Sequence, residues 1–117
     1  MDTQSRWTLR ATPQLVRATY QKCPWCGKDI VGNKFARHHW LIKRGALPKK
    51  KFDLIDVLIN VVPVHHVCHD MYGQTKAFKS KCLSYVLTVF SAEDILSWYN
   101  SVSIKTNLTK KDSTGEL

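Results

Sequence analysis

The stretches CPWC (residues 23–26) and HHVCH (residues 65–69) are the parts of this chain on which its architecture depends. Each contains two potential zinc ligands that are separated by two residues, so that one turn of backbone can present both to the same ion. The sequence predicts a structural Zn2+ that clamps the two stretches together, and such an ion can contribute on the order of 10 kcal/mol to folding. The four predicted ligands are Cys23, Cys26, His65 and Cys68.

Two alternatives to this ligand set remain open. His66 could take the place of His65, although the spacing to Cys68 favours His65. The CPWC stretch is also compatible with a thioredoxin-like redox pair, which requires a βαβ setting with the first cysteine opening a helix. The residues around CPWC are typical of a turn, which favours the zinc interpretation. The fourth cysteine, Cys82, lies on the apolar face of a predicted helix and is interpreted as a buried apolar residue.

The length and composition of the chain fit one small domain. It has 117 residues, of which 44% are hydrophobic, enough for a modest core and too many for wholesale disorder. We expect the domain to cover residues 1–104 and residues 105–117 to be a disordered tail. No apolar run approaches the ~20 residues of a membrane span, and no hydrophobic leader follows the N-terminus. These features predict a cytoplasmic protein without a membrane partner, whose cysteines stay reduced.

The net charge of +9 is concentrated in one segment. Residues 22–51 contain nine lysines and arginines and a single acid, whereas the rest of the chain is almost neutral. This positive field surrounds the pair His38-His39 and predicts a polyanionic partner, most simply DNA. A solvated basic surface that serves only solubility is the alternative. The side chains expected to hold a phosphate backbone are Arg37, Lys43, Arg44, Lys49, Lys50 and Lys51.

The hydrophobic patterns predict an α+β fold. Thr12 and Pro13 are suited to begin the first helix, in which Leu15, Ala18 and Tyr20 are expected to point partly inward. Ser91 is suited to cap the last helix. Residues 53–59 fit either a short helix or an extended segment. Strands are predicted at residues 35–42 and 61–64, helices at 14–22, 66–72, 76–90 and 92–102, and irregular structure at 1–11 and 43–52.

Four histidines exceed the needs of one zinc ion. A single histidine is more often structural than catalytic, but several beside a basic segment favour chemistry. His69 directly follows Cys68 and would lie in the helix that the zinc anchors, whereas His38 and His39 would lie on a strand. A strand and a helix clamped by one metal can present side chains to a second metal between them. His66 has no such placement and is interpreted as a solvated or supporting residue.

In combination, these residues resemble the HNH endonuclease superfamily. The resemblance is to its small, free-standing members from phages and bacteria, which carry a zinc knuckle. The resemblance rests on the two x2-spaced ligand pairs, the His-His pair at a strand end, Asn60 and the histidine directly after Cys68. It covers about residues 20–75 and implies a ββα-metal core, followed by a helical extension at about 76–104. Family members with a zinc knuckle usually have four cysteines, and His65 stands in the place of the third.

The resemblance also implies roles for four residues. His38 and His69 would bind a catalytic divalent metal, which could be Mg2+, Mn2+, Ni2+ or Zn2+. His39 would be the general base that activates water, and Asn60 would orient the loop and strand around it. Adjacent residues on a regular strand point to opposite faces, so His38 and His39 can both serve one site only if the strand twists, bends or ends there. Which of the two is the ligand and which the base stays open at this point.

The resulting expectation is a metal-dependent HNH endonuclease that nicks DNA or cuts both strands. The enzyme would act in the cytoplasm of a bacterium or of a phage-infected host cell. A phage or host protein could be its partner. The alternative is a non-catalytic zinc-knuckle module that binds nucleic acid. That alternative accounts for the charge and the cysteines but leaves His38, His39 and His69 without a role.

Overall fold

The computed structural model describes residues 7–106, which form a small α+β fold as predicted. Two strands lie between a first short helix and three further helices. Three short 3-10 helices connect the two strands, at Arg44–Ala46, Lys49–Leu54 and Leu58–Asn60. The main elements in chain order are α1 (Pro13–Thr19), β1 (Ala36–His39), β2 (Val61–Val64), α2 (His66–Tyr72), α3 (Lys76–Val86) and α4 (Ala92–Thr106).

The two strands form an antiparallel sheet, in which His38 lies opposite Val62 and His39 opposite Val61. All four residues of β2 are buried, which is the environment that valine-rich strands favour. Only His65 separates the end of β2 from the start of α2. The order strand, strand, helix over residues 36–72 is therefore as predicted, and it fixes α2 beside the sheet.

The first strand is shorter than the predicted range of 35–42, because a side chain captures the backbone that follows it. The backbone amides of Leu41 and Ile42 donate to Oδ1 of Asn60 at 3.1 and 3.0 Å. These amides are therefore bonded to a side chain instead of a neighbouring strand, and β1 ends at His39.

The first helix begins as predicted, since Oγ1 of Thr12 accepts a hydrogen bond from the amide of Leu15. It ends at Thr19, before the predicted position 22. The prediction that Leu15 and Ala18 point inward is wrong, because both are exposed and Val16 is buried instead. Tyr20 is fully buried, and its hydroxyl donates to the carbonyl of Leu58 at 2.6 Å.

The C-terminal helices also begin where they were predicted. Oγ of Ser91 accepts a hydrogen bond from the amide of Asp94 at 3.0 Å, which caps α4. Helix α3 ends at Val86 and not at residue 90, whereas α4 continues to Thr106 and thus includes two residues that were expected in the tail. Residues 107–117, to which the rest of the tail prediction applies, lie outside the described residues, as do residues 1–6.

Part of the N-terminal segment is more regular than predicted. Arg10 forms an antiparallel bridge with Val57, and the flanking backbone bonds join Leu9 to Leu58 and Ala11 to Asp56 at 3.0 Å. Within residues 53–59, which fitted either a helix or a strand, Val57 is extended and lies between the 3-10 helices Lys49–Leu54 and Leu58–Asn60. The bridge holds the backbone of Asp56 in place.

The core contains side chains from the sheet and the helices. Cys82 is fully buried, as predicted for an apolar role, and burial raises the pKa of its thiol to about 12. No helix within residues 7–106 is long and apolar enough to cross a membrane. The core includes Val16, Tyr20, Ile59, Val62, Phe78, Val86 and Trp98.

Candidate functional site

The four predicted zinc ligands converge in space. The ligand atoms of Cys23, Cys26, His65 and Cys68 all lie within 4.8 Å of one another, and Cys26 Sγ is 3.2 Å from His65 Nδ1. A tetrahedral zinc ion with Zn–S bonds of about 2.3 Å and Zn–N bonds of about 2.0 Å separates its ligand atoms by roughly 3.5–3.8 Å. The observed separations, from 3.2 Å to at most 4.8 Å, bracket these values, so the cluster could hold a metal ion such as zinc.

The orientation of His65 suits a metal ligand. Its Nε2 lies 3.1 Å from the carbonyl oxygen of Asp29 and donates a hydrogen bond to it, which leaves the lone pair of Nδ1 directed at the cluster. His66 is exposed and does not belong to the cluster. The geometry therefore favours His65 over His66 as the third ligand.

The turn that contains Cys23 and Cys26 stabilises a thiolate. Burial opposes ionisation of Cys23, but hydrogen bonds from the backbone amides of Cys26, His65 and Trp25 outweigh it and lower the pKa of this thiol. Burial, together with Cys23 nearby, raises the pKa of Cys68 to about 12. A bound cation would favour the thiolate form of Cys68, because metal binding and thiol deprotonation are linked.

The surroundings of the CPWC stretch do not match a thioredoxin-like pair. Residues 24–26 form a turn, and Gly27, with a φ of 75°, closes it. The sheet described within residues 7–106 has two antiparallel strands and includes no βαβ unit. The structure thus lacks, in its described part, the setting that redox activity of this motif requires.

The same turn also supports the far end of α2. The ring of Trp25 stacks on Tyr72 with centroids 4.2 Å apart, and Nζ of Lys81 lies 4.6 Å from the Trp25 ring. His65 and Cys68 hold the first turn of α2 at the cluster, so the helix is fixed at both ends. This positions His69, which lies between them.

His38 and His69 face each other across the gap between β1 and α2. Their ring centroids are 5.1 Å apart at an interplanar angle of 70°, and His38 also contacts Phe78. Two imidazoles that bind one ion at about 2.0–2.1 Å, with an angle of about 90–110° at the metal, have ring centres roughly 4.5–5.2 Å apart. The spacing of the pair fits a shared divalent metal.

The electrostatic environment keeps His38 neutral. Burial, followed by the nearby His69, His39 and Lys43, lowers the pKa of His38 to about 4. Only a neutral imidazole can donate a lone pair to a metal. His38 is therefore in the form that a ligand needs at neutral pH.

His39 is the last residue of β1, and its ring contacts other neighbours than the ring of His38 does. It is buried, its ring is 5.4 Å from that of Phe52, and its Nε2 is 3.3 Å from Oδ1 of Asp56. Burial lowers the pKa of His39, although Asp56 acts in the opposite direction. The structure thus brings His38 together with His69. The charge of His39 acts on His38, so the two adjacent histidines stay close although their rings contact different neighbours.

Asn60 is fully buried, and its side chain joins residues 41–42, which follow β1, to Ile55. Its Oδ1 accepts from the amides of Leu41 and Ile42, and its Nδ2 donates to the carbonyls of Ile42 and Ile55 at 2.9 Å each. All the hydrogen-bonding capacity of the amide is directed at backbone. Such an arrangement fixes the chain directly after His39 relative to the segment that carries Asp56.

Three basic side chains lie close to the histidines, and each has a partner in the protein. Arg37 donates to the carbonyl of Ala11 at 2.8 Å, and Nη1 also lies 3.4 Å from Asp56. Nζ of Lys43 is 3.4 Å from Oε1 of Gln74, and the guanidinium of Arg44 lies over Phe52. The charges of Lys43 and Arg44 act on His38 and His39 respectively.

The remaining predicted phosphate-binding side chains, Lys49, Lys50 and Lys51, belong to one 3-10 helix. Lys49 and Lys50 are exposed, whereas Lys51 is half-buried. The part predicted as an irregular basic loop thus contains two short helices, and it presents its lysines from a defined backbone.

Sequence reasoning missed Asp56, the buried carboxylate beside His39. A signal was present: this acid stands between Ile55 and Val57 in an apolar run, where an unpaired carboxylate would be costly. Its partners, Arg37 and His39, come from a distant part of the chain, so the run alone did not identify them.

Comparisons of the chain with protein-family models, with curated proteins and with solved structures each find no match. What the structure shows by itself is a small α+β fold with a two-stranded antiparallel sheet, several helices and a cluster of three cysteines and one histidine that could bind zinc.

Proposed function

We propose that this protein is a metal-dependent endonuclease of the HNH type that hydrolyses phosphodiester bonds in DNA. The observation that carries the proposal is the pair formed by His38 and His69, with ring centroids 5.1 Å apart. One member comes from a strand and the other from a helix that begins at a potential zinc cluster. A purely structural zinc module has no need for this pair.

His38 and His69 would hold the catalytic divalent ion, with Mg2+, Mn2+, Ni2+ and Zn2+ as candidates. Two protein ligands leave several coordination positions for phosphate oxygens and water. A divalent ion held there would supply positive charge to the phosphate and to the leaving oxygen. The low pKa of His38 supports this assignment, because the ring remains a neutral donor well below neutral pH.

His39 would accept the proton of the attacking water. A general base must be neutral at the working pH, and burial lowers the pKa of His39 below its ordinary value. Its ring is restrained by Phe52 and Asp56, and Asn60 restrains the backbone that follows it. These contacts support the assignment of His39 as base and His38 as ligand.

DNA is the proposed substrate because of the charge around the histidines. Lys43 lies near His38 and Arg44 near His39, and Lys49, Lys50 and Lys51 continue the basic surface. Such side chains hold the phosphate backbone without reading sequence. Arg37 is bonded to Ala11 and Asp56, so its role in DNA binding is the one least supported by geometry.

The test is a nicking assay on supercoiled plasmid with each of the four metals, using wild type, His39→Ala and His66→Ala. His66 is an exposed histidine outside both histidine sites and provides the matched control. We expect cleavage by wild type, a loss of about 100-fold or more in His39→Ala at unchanged zinc content, and a rate within about twofold for His66→Ala.

Equal rates for wild type and His39→Ala, with the same zinc content, would contradict the proposal. If the protein binds DNA in a salt-dependent manner but cuts it with none of the metals, the non-catalytic zinc-knuckle module is the better description.

A further inference from the structure

Asp56 is a buried carboxylate to which the reaction described above assigns no task. Its Oδ1 lies 3.3 Å from Nε2 of His39 and 3.4 Å from Nη1 of Arg37. Both partners belong to β1, whereas Asp56 precedes β2. One oxygen atom thus joins the histidine to an arginine that lies two positions before it.

The position of this carboxylate is fixed by the backbone around it. The amide of Asp56 donates to the carbonyl of Phe52, and its own carbonyl accepts from the amide of Ala11. The preceding residue, Ile55, accepts a hydrogen bond from Asn60. Arg37 closes the arrangement, because it donates to the carbonyl of Ala11 as well as approaching Asp56.

Burial of a carboxylate without partners is costly, and the guanidinium of Arg37 offsets that cost. This ion pair alone would explain why Asp56 is tolerated. It does not explain why the same oxygen also faces Nε2 of His39. A carboxylate oxygen accepts hydrogen bonds and donates none, so the nitrogen that faces it must carry the proton.

We propose that Asp56 is a positioning residue for His39, which holds the ring in its Nε2–H tautomer and leaves the lone pair of Nδ1 as the proton acceptor. The inference rests on the proposed function, since it names the basic atom of that same site. When the water oxygen bonds to phosphorus, its proton passes to Nδ1. The bond from phosphorus to the leaving oxygen breaks, and its electron pair stays with that oxygen, which is protonated by solvent.

The tautomer is measured directly on the wild-type, zinc-loaded protein without any other added metal. Long-range 1H–15N spectra at neutral pH distinguish the protonated from the unprotonated nitrogen of His39, with His39→Gln used to assign the signals. We expect a protonated Nε2 and an unprotonated Nδ1. The opposite tautomer overturns the inference. This experiment involves no cleavage, so it gives its answer even if the proposed nuclease activity fails.

The contribution to rate is measured with Asp56→Leu, which removes the acceptor and keeps the branched shape of the side chain, and with Asp56→Asn, which retains an acceptor oxygen. Asp53→Asn is the charge-matched control, because Asp53 is exposed on the neighbouring 3-10 helix. We expect Asp56→Leu to lower the single-turnover rate about 100-fold at an unchanged half-saturating DNA concentration, as for other misplaced catalytic groups. Asp56→Asn should recover at least tenfold of that loss, and Asp53→Asn should stay within twofold of wild type.

A purely structural Asp56 gives a different pattern. The half-saturating DNA concentration, the zinc content and the rate would then change together in Asp56→Leu, and that result overturns the inference. An unchanged rate in Asp56→Leu overturns it as well. If Asp56→Leu does not fold, the wild-type tautomer and the comparison of Asp56→Asn with Asp53→Asn decide the matter.

Discussion

The cysteine cluster offers a metal ion four side chains, whereas the pair of His38 and His69 offers two. A four-ligand site fills a tetrahedral ion and leaves no room for substrate, which is typical of structural zinc. A two-ligand site leaves positions open, which is what a reaction at phosphate requires. The proposed function therefore assigns the cysteine cluster to stability and the pair of His38 and His69 to chemistry. The two are adjacent along α2, where His69 directly follows Cys68.

The largest effect is expected on zinc content and stability, when one of the four cluster ligands is removed. Cys26→Ser should abolish stoichiometric zinc and lower the free energy of unfolding by several kcal/mol, up to the order of 10 kcal/mol that structural zinc supplies. Zinc content by elemental analysis and thermal unfolding by circular dichroism test this. The matched control is Cys82→Ala, which should retain zinc and cost only the cavity it creates, about 1–2 kcal/mol. Full zinc content in Cys26→Ser would show that the cluster is not a four-ligand site.

A smaller loss of stability is expected when Asn60 is replaced, because its side chain joins the chain that follows β1 to the segment that precedes β2. Asn60→Ala leaves two amides and two carbonyls without their partner, so we expect the free energy of unfolding to fall by about 3–4 kcal/mol. Urea denaturation measures the change, and zinc content should stay at the wild-type level. A loss below about 1 kcal/mol would mean that water replaces the amide without cost.

Removal of a ligand of the pair should affect chemistry more than stability. His69→Ala should lower the cleavage rate more than 100-fold, equivalent to about 2.7 kcal/mol in the barrier, while the structural zinc remains bound. Calorimetric titration of the zinc-loaded protein with Mn2+ should show loss of a site that wild type and His66→Ala both retain. If His69→Ala instead loses the structural zinc, the cysteine cluster and the pair of His38 and His69 form one site and not two.

The smallest effect concerns the basic surface beside the pair. Lys50→Ala should reduce the slope of log affinity for DNA against log salt by about 0.9, which corresponds to one phosphate contact. Lys22→Ala is the control, because its ammonium is already paired with Asp29 at 2.8 Å and should leave the slope unchanged. Equal effects of the two substitutions would indicate that only the total charge matters.

The parts of the site that were predictable from sequence are those set by local spacing. Cys23 and Cys26 can reach one ion from a single turn, and the adjacency of Cys68 and His69 places the latter in the anchored helix. The caps at Thr12 and Ser91 were predictable for the same reason, since each bonds an amide three residues later.

The features that the sequence did not predict depend on contacts between distant segments. The length of β1 is limited by Asn60, which lies beyond the intervening loop, and the bridge between Arg10 and Val57 pairs segments far apart in the chain. The inward face of α1 was misjudged, because its seven residues carry too short a pattern to show which side meets the core. Asp56 is another such feature, because its partners are the β1 residues Arg37 and His39.

A single residue connects β2 to α2, and that residue, His65, belongs to the cluster. Loss of zinc would therefore release the helix at its junction with the sheet, and His69 would no longer be held opposite His38. If the proposed function holds, the supply of zinc to a growing cell would then decide how much of the newly made protein is active. Under the same proposal, a chain synthesised under zinc limitation would not cleave DNA until it binds the ion.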